Sequence, residues 1–370
     1  MGKEIIVVSA VNITRGGTLE ILKNCLEYLS TRIDEFRIIA IVHNKKLAFC
    51  DGIEYIEIPQ AKNNWFSRLW CEHVTLKKIS RQLPPIFLWL SLHDTTPNVY
   101  ANKRAVYCHN SFPSYKGNMK DLYLNYKVFL FSWMSKNFIY RPNIRKNDFV
   151  IVQTQWFKKT FESIFRLSPQ KIIVFPPMIP NAYDSNQDER NHNEKTNFFF
   201  PATADIHKNF EVLCEASKLL ESQLEIGKFN TIITLKGNEN RYAKYLYRKW
   251  GDIQSISFAG YQNQTQMREL YDRADALVFP SKVETWGLPI TEFGRYGRPI
   301  LLADLPYAHE TAGGLLQTAY FSPDDPNELA NLMLQVIRGE YKNFKPTPAT
   351  PPTPPIANTW DQLFNQLLQC

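Results

Sequence analysis

No stretch of this chain stays apolar long enough to cross a bilayer. The longest such runs, around residues 84–92 and 128–134, fall well short of the roughly 20 residues a membrane-spanning helix needs. The six cysteines, Cys25, Cys50, Cys71, Cys108, Cys214 and Cys370, follow no C-x-x-C or zinc-type spacing. That argues against a disulfide framework or thiolate metal site and for reduced, mostly buried thiols in a cytosolic protein. The chain has no D-x-D pair to chelate a metal, no complete G-x-G-x-x-G and no internal sequence repeat. Its first eight residues run straight into a strand-like pattern and lack the parts of a signal peptide, so a cytoplasmic location is expected.

What is present is ample core material: 370 residues, 44% hydrophobic and 14% aromatic, enough for two domains of ordinary size. The charge divides unevenly. Residues 1–180 hold 25 Lys and Arg against 13 Asp and Glu, whereas residues 181–370 hold 18 against 23. A basic first half suggests an anionic partner, membrane or nucleic acid, with a merely solvated basic surface as the alternative. Residues 118–147 interleave aromatic and aliphatic residues with Lys120, Lys127, Lys136, Arg141, Arg145 and Lys146 and carry a single acid, Asp121. Such a segment reads equally as a helix lying in anionic headgroups and as a core helix with basic edges. No nucleic-acid recognition motif accompanies it, so no nucleic-acid partner is expected.

Taken in order, apolar strand patterns at 5–10, 37–42, 54–58, 85–90, 104–108, 148–152 and 171–175 alternate with helical ones, which predicts a doubly wound α/β domain over residues 1–180. The loop after the first strand carries Arg15, Gly16 and Gly17, and the glycines let its backbone pass close to a ligand. His93 and His109 each follow a strand, where strand ends meet a crevice. A lone histidine is more often structural, and His93 is read so. Residues 181–196 are polar and aperiodic, a linker. Strand and helix patterns resume over 197–344 as a second α/β domain, and 345–370 form a Pro-rich connector followed by a helix at 360–368.

The most informative stretch is 276–314. ALVFP at 276–280 reads as a buried parallel strand; Glu284, Gly287, Leu288, Pro289 and Glu292 follow it, Gly297 and Pro299 end the helix, and the next strand begins. In such a unit the amides near Trp286 to Leu288 point past the carboxyl end of the sheet, where an anion can sit. Two carboxylates flanking a phosphate site make sense as acceptors for hydroxyls. A ligand with phosphate in the middle and hydroxyls at both ends is a nucleotide sugar.

The ETWGLPITE segment (284–292), with FPS before it and GRPI after it, resembles the E-x7-E motif of the retaining GT-B glycosyltransferases, specifically glycosyltransferase family 4 (group 1). The resemblance is strong over about 198–338. It implies an α/β GT-B fold of two Rossmann-like domains facing each other across a cleft, the first for the acceptor and the second for the nucleotide sugar, with the closing helix crossing back onto the first domain. It further implies that Glu284 contacts the donor sugar and Glu292 the ribose hydroxyls, with Thr285, Trp286, Gly287 and Leu288 between them lining the donor site. His109 resembles the family's active-site histidine, Gly16 and Gly17 its first-loop glycines, and Gly260 and Tyr261 fall where the nucleobase lies. The family pattern G-R-x5-K is met at its end by Lys208, implied to grip the diphosphate, but the arginine position holds Ala202. His207 or Arg15 are the candidates to replace it.

The expectation is therefore a retaining, metal-independent glycosyltransferase, with front-face attack assisted by the leaving phosphate and no other cofactor. It would move sugar from a nucleotide-diphosphate donor to a glycan, lipid-diphosphate-linked and destined for surface polysaccharide, at the inner face of the cytoplasmic membrane. A GT-B nucleotide-sugar epimerase and a non-enzymatic basic binding module are the alternatives.

Overall fold

Short runs rich in β-branched and aromatic residues set thirteen strands in the computed structural model, which describes residues 2–62, 64–115, 130, 132–178 and 195–369. The chain divides into two units: Met1–Pro113, Trp133–Met178 and Pro352–Cys370 form the first, Ser114–Ser132 and Ile179–Pro351 the second.

The first unit holds β1 (Glu4–Ala10), β2 (Phe36–Val42), β3 (Glu54–Glu57), β4 (Ile86–Ser91), β5 (Lys103–Tyr107), β6 (Phe149–Val152) and β7 (Ile172–Val174). Their order is β3-β2-β1-β4-β5-β6-β7, with every pairing parallel. Strand β1 shows why a continuous apolar run is required: Ile6, Val8 and Ala10 face one core and Ile5 and Val7 the other. The helix Trp360–Leu368 belongs to this unit, and its Trp360, Leu363, Phe364 and Leu367 are buried in the same core as Ile6 and Val8.

The second unit holds β8 (Thr196–Phe200), β9 (Phe229–Ile233), β10 (Ile256–Phe258), β11 (Ala276–Phe279), β12 (Ile300–Ala303) and β13 (Thr318–Phe321), ordered β10-β9-β8-β11-β12-β13 and again all parallel. Phe200 is central to its core, edge-on to Phe279 at 5.6 Å and tilted against Phe210 at 4.7 Å.

In both sheets the strand order reverses once, between β1 and β4 and between β8 and β11. Loops leaving the carboxyl ends on either side of such a point diverge and open a crevice, where open α/β sheets bind ligands. Most of the strands expected from sequence lie within a residue or two of their observed bounds; β13 was not anticipated. Of the segment 118–147, residues 118–129 and 131 lie outside the described residues, as does the linker over 181–194. In the described remainder Ile139, Tyr140 and Ile144 are buried, and the Tyr140 ring stacks on Phe165 and meets Phe161 edge-on, whereas Leu130 and Trp133 are 47% and 54% exposed.

Candidate active site

The second unit's switch point is flanked by the loops after β8 and β11, and each delivers one charged residue. Lys208 closes a short 3-10 turn, Ile206–Lys208, and Glu284 sits just before the helix Leu288–Gly294. Lys208 Nζ lies 2.5 Å from Glu284 Oε1, with only 16% and 13% of the two side chains exposed. Three ties hold the loops in that register. The Lys282 N–H donates to the His207 carbonyl at 2.7 Å. Asn209, in the left-handed region at φ +58°, sends Nδ2 to the carbonyls of Pro280 (3.2 Å) and Pro323 (2.7 Å). Tyr307 Oη donates to the Ser281 carbonyl at 2.6 Å. Ala202 has no side chain to offer an anion; its backbone N–H and C=O both bond the Thr234 hydroxyl, at 2.9 and 3.0 Å, which fixes the start of the β8 loop.

Gly287 is a backbone requirement. Its φ is +89°, and an added Cβ would lie 3.1 Å from Ile290 Cδ1 and 3.3 Å from Phe279 Cε1. One turn further on, Glu292 is oriented by buried Tyr271, whose Oη donates to Oε2 at 2.7 Å. Trp286 is fixed through its carbonyl, which accepts from Thr311 Oγ1 at 2.5 Å, and through Nε1, which donates to Thr291 Oγ1 at 3.3 Å. Thr285 and Leu288 are half-buried beside it. His207 is buried, and that burial, together with the Lys208 charge, holds its imidazole well below the ordinary range. At neutral pH it can offer a hydrogen bond and no charge.

Beside the β10 end, Gly260 (φ +73°) bonds the Leu235 carbonyl, and Tyr261 stands 89% exposed. After β9 the backbone N–H groups of Lys236, Gly237 and Asn238 converge on the Glu239 carboxylate at 2.5–3.0 Å. Burial opposes the charge of Glu239, yet backbone donors hold its carboxyl below the usual range.

In the first unit Arg15 and Gly16 are exposed, and Gly16, at φ +71°, caps the helix Gly17–Ser30. His109 follows β5. Its Nε2 lies 3.1 Å from the Leu92 carbonyl, which can only accept, so Nε2 carries the proton. Burial outweighs the nearby Asp94 charge and lowers the imidazole pKa, leaving His109 neutral. Asp94, itself at φ +71°, anchors this loop by accepting the N–H groups of His109 (2.6 Å) and Asn110 (3.1 Å).

His93 is buried among hydroxyls, with Nε2 3.1 Å from Ser9 Oγ and 3.2 Å from Ser91 Oγ, and Nδ1 3.0 Å from Thr95 Oγ1. Behind it Arg68 donates to Glu72 Oε1 (2.9 Å) and to the His93 carbonyl (3.0 Å). Tyr271, Asp94 and the Arg68–Glu72 pair were not singled out from sequence. A tyrosine in a helix and an i,i+4 ion pair carry no local mark of their partners.

Among the described residues no group of three or more His, Cys, Asp or Glu is placed to hold a metal, and no helix is long and apolar enough to cross a membrane. Residues 183–347 match the family of glycosyl transferases group 1. Among curated proteins, the O-antigen chain mannosyltransferase RfbU of Salmonella typhimurium is 26% identical to the chain over 228 residues, 56% of the chain and 60% of that relative's length. Among solved structures, a glycosyltransferase from Rickettsia africae aligns with a TM-score of 0.60 at 16% identity, over 91% of this chain and 89% of its own. Anabaena HepE, solved in complex with UDP-glucose, aligns with a TM-score of 0.58 at 14% identity, over 92% of each chain. The two parallel sheets and these neighbours give the chain the GT-B fold. Both Lys208 and the 284–292 motif fall inside the matched domain.

Proposed function

We propose that the chain transfers a sugar, with retention of configuration and without a metal, from a nucleotide-diphosphate sugar to a hydroxyl of a glycan acceptor in surface-polysaccharide assembly. The observation that carries the proposal is the shielded Lys208–Glu284 pair at the second unit's switch point. A lysine and a glutamate that neutralise each other can separate onto a ligand with a diphosphate for the cation and hydroxyls for the carboxylate. Lys208 then stabilises the negative charge that grows on the departing diphosphate, the main electrostatic demand of glycosyl transfer. Glu284 receives sugar hydroxyls, and Glu292, oriented by Tyr271, receives those of the ribose. Neutral His109 contributes hydrogen bonding on the acceptor side. Relatives lend support: RfbU is named for mannosyl transfer to O-antigen, and HepE binds UDP-glucose. The basic first half supports a lipid-diphosphate-linked acceptor.

The test is a thermal-shift panel of nucleotides and nucleotide sugars. A bound donor at about 100 times its Kd adds roughly 2.7 kcal/mol of stability. Lys208→Ala is expected to abolish the shift given by the diphosphates and to lower kcat/KM by about 10²–10³. An unchanged diphosphate response in that variant would refute the assignment. Product analysis with donor alone separates transfer from epimerisation, which needs no acceptor.

A further inference from the structure

The helical stretch that follows β3 is built inside out. It runs as a helix (Trp65–Trp70), a π-turn (Cys71–Thr75) and a second helix (Leu76–Gln82). Its inward side holds the Arg68–Glu72 ion pair, with the Glu72 side chain 1% exposed, next to buried Cys71 and Leu76. Its outward side shows Phe66, Trp70 and Val74, which are 82%, 66% and 42% exposed. Residues four apart share a helix face, so the three form one apolar stripe. Exposed Lys78 continues the same spacing, and exposed Lys62 closes the 3-10 turn (Pro59–Lys62) that precedes the helix. An amphipathic helix in water has the opposite arrangement, and aromatics clustered on the outside mark a contact surface.

The exposed charge within the helical stretch itself has one sign. From residue 59 to 82 the sole acid is Glu72, which is buried, while Lys62, Lys77, Lys78 and Arg81 lie on or beside the stripe. A second copy presenting this face would set lysine against lysine. Aromatic side chains flanked by lysines suit the headgroup boundary of an anionic bilayer. Lys62 Nζ also hydrogen-bonds Thr14 Oγ1 in the loop that carries Gly16, so the stripe borders the candidate acceptor side of the first unit.

We propose that this face, led by Phe66 and Trp70, is the surface on which the first unit rests on anionic lipid. The assignment stands on exposure and charge, and its readout is lipid binding, so it can fail while the transferase reading stands.

The experiment is co-flotation of the full chain with vesicles of phosphatidylcholine alone and of equimolar phosphatidylcholine and phosphatidylglycerol. Binding is expected to the anionic vesicles only, and to weaken with salt. Phe66→Ser with Trp70→Ser should lower the partition coefficient by about tenfold or more. Lys62→Ala and Lys78→Ala should each lower it by about fivefold. A wild-type melting temperature confirms that each variant folds. Should the serine pair fail to fold, Trp70→Phe serves: brominated acyl chains should quench less tryptophan fluorescence in it than in the wild type. Three outcomes overturn the assignment: no wild-type binding to anionic vesicles, undiminished binding or quenching in the folded variants, and a concentration-dependent dimer that the serine pair abolishes.

Discussion

At the scale of single residues, the candidate site is held by side chains whose chemistry is set by their surroundings. Gly287 is the sharpest case: a left-handed backbone and two close apolar neighbours would strain any side chain there. Gly287→Ala is expected to cost about 1–3 kcal/mol, read as a lower melting temperature of the second unit. Two histidines give a pH prediction. Both His109 and His207 have folded-state pKa values below the ordinary 6.5. As pH falls through that value the unfolded chain takes up protons that the folded chain refuses, so stability drops on acidification and is recovered on raising the pH. Melting curves across this window should show the loss, and His207→Gln should reduce it.

At the scale of elements, the π-turn after β3 and the loops after β4 and β5 form one supported group. Arg68 bonds Glu72 and the His93 carbonyl, and the next residue, Asp94, anchors the His109 loop. Burial alone would raise the Glu72 pKa, but the hydrogen bond from His93 and the charges of His93 and Arg68 bring it down to about 2. Its contribution is therefore present above its ordinary value of 4.5 and lost as pH falls from there toward about 2. Glu72→Gln leaves Arg68 buried without its counter-charge and should destabilise the first unit by about 3–5 kcal/mol in urea unfolding. The variant should also lack that acid limb. Sequence patterns located most elements because a run such as ALVF at 276–279 is an unambiguous buried strand. They passed over β13, whose four residues TAYF lie at a sheet edge with Tyr320 partly exposed, too short for a periodic signal.

At the scale of the whole molecule, two units with separate cores should unfold separately. The helix Trp360–Leu368 belongs to the first core although more than 180 residues separate it from β7. Phe364→Ala, which empties a fully buried position, should cost about 3–5 kcal/mol and lower one calorimetric transition while sparing the other. A nucleotide-sugar donor should raise the other transition, that of the unit containing Lys208 and Glu284.

The sequence by itself determined what depends on near neighbours: the alternating strands and helices, the glycine turn at 287, and the glutamates spaced across one loop and one helical turn. Only the tertiary structure decided what those residues meet. Lys208 and Glu284 are 76 positions apart and touch because β8 pairs with β11 at the point where strand order reverses. Arg68 and Glu72 have the spacing of an ordinary surface ion pair, yet they face inward while Phe66 and Trp70 face out. Spacing places side chains on a face of an element; whether that face meets core or solvent is set by what packs against it, which is spread along the whole chain.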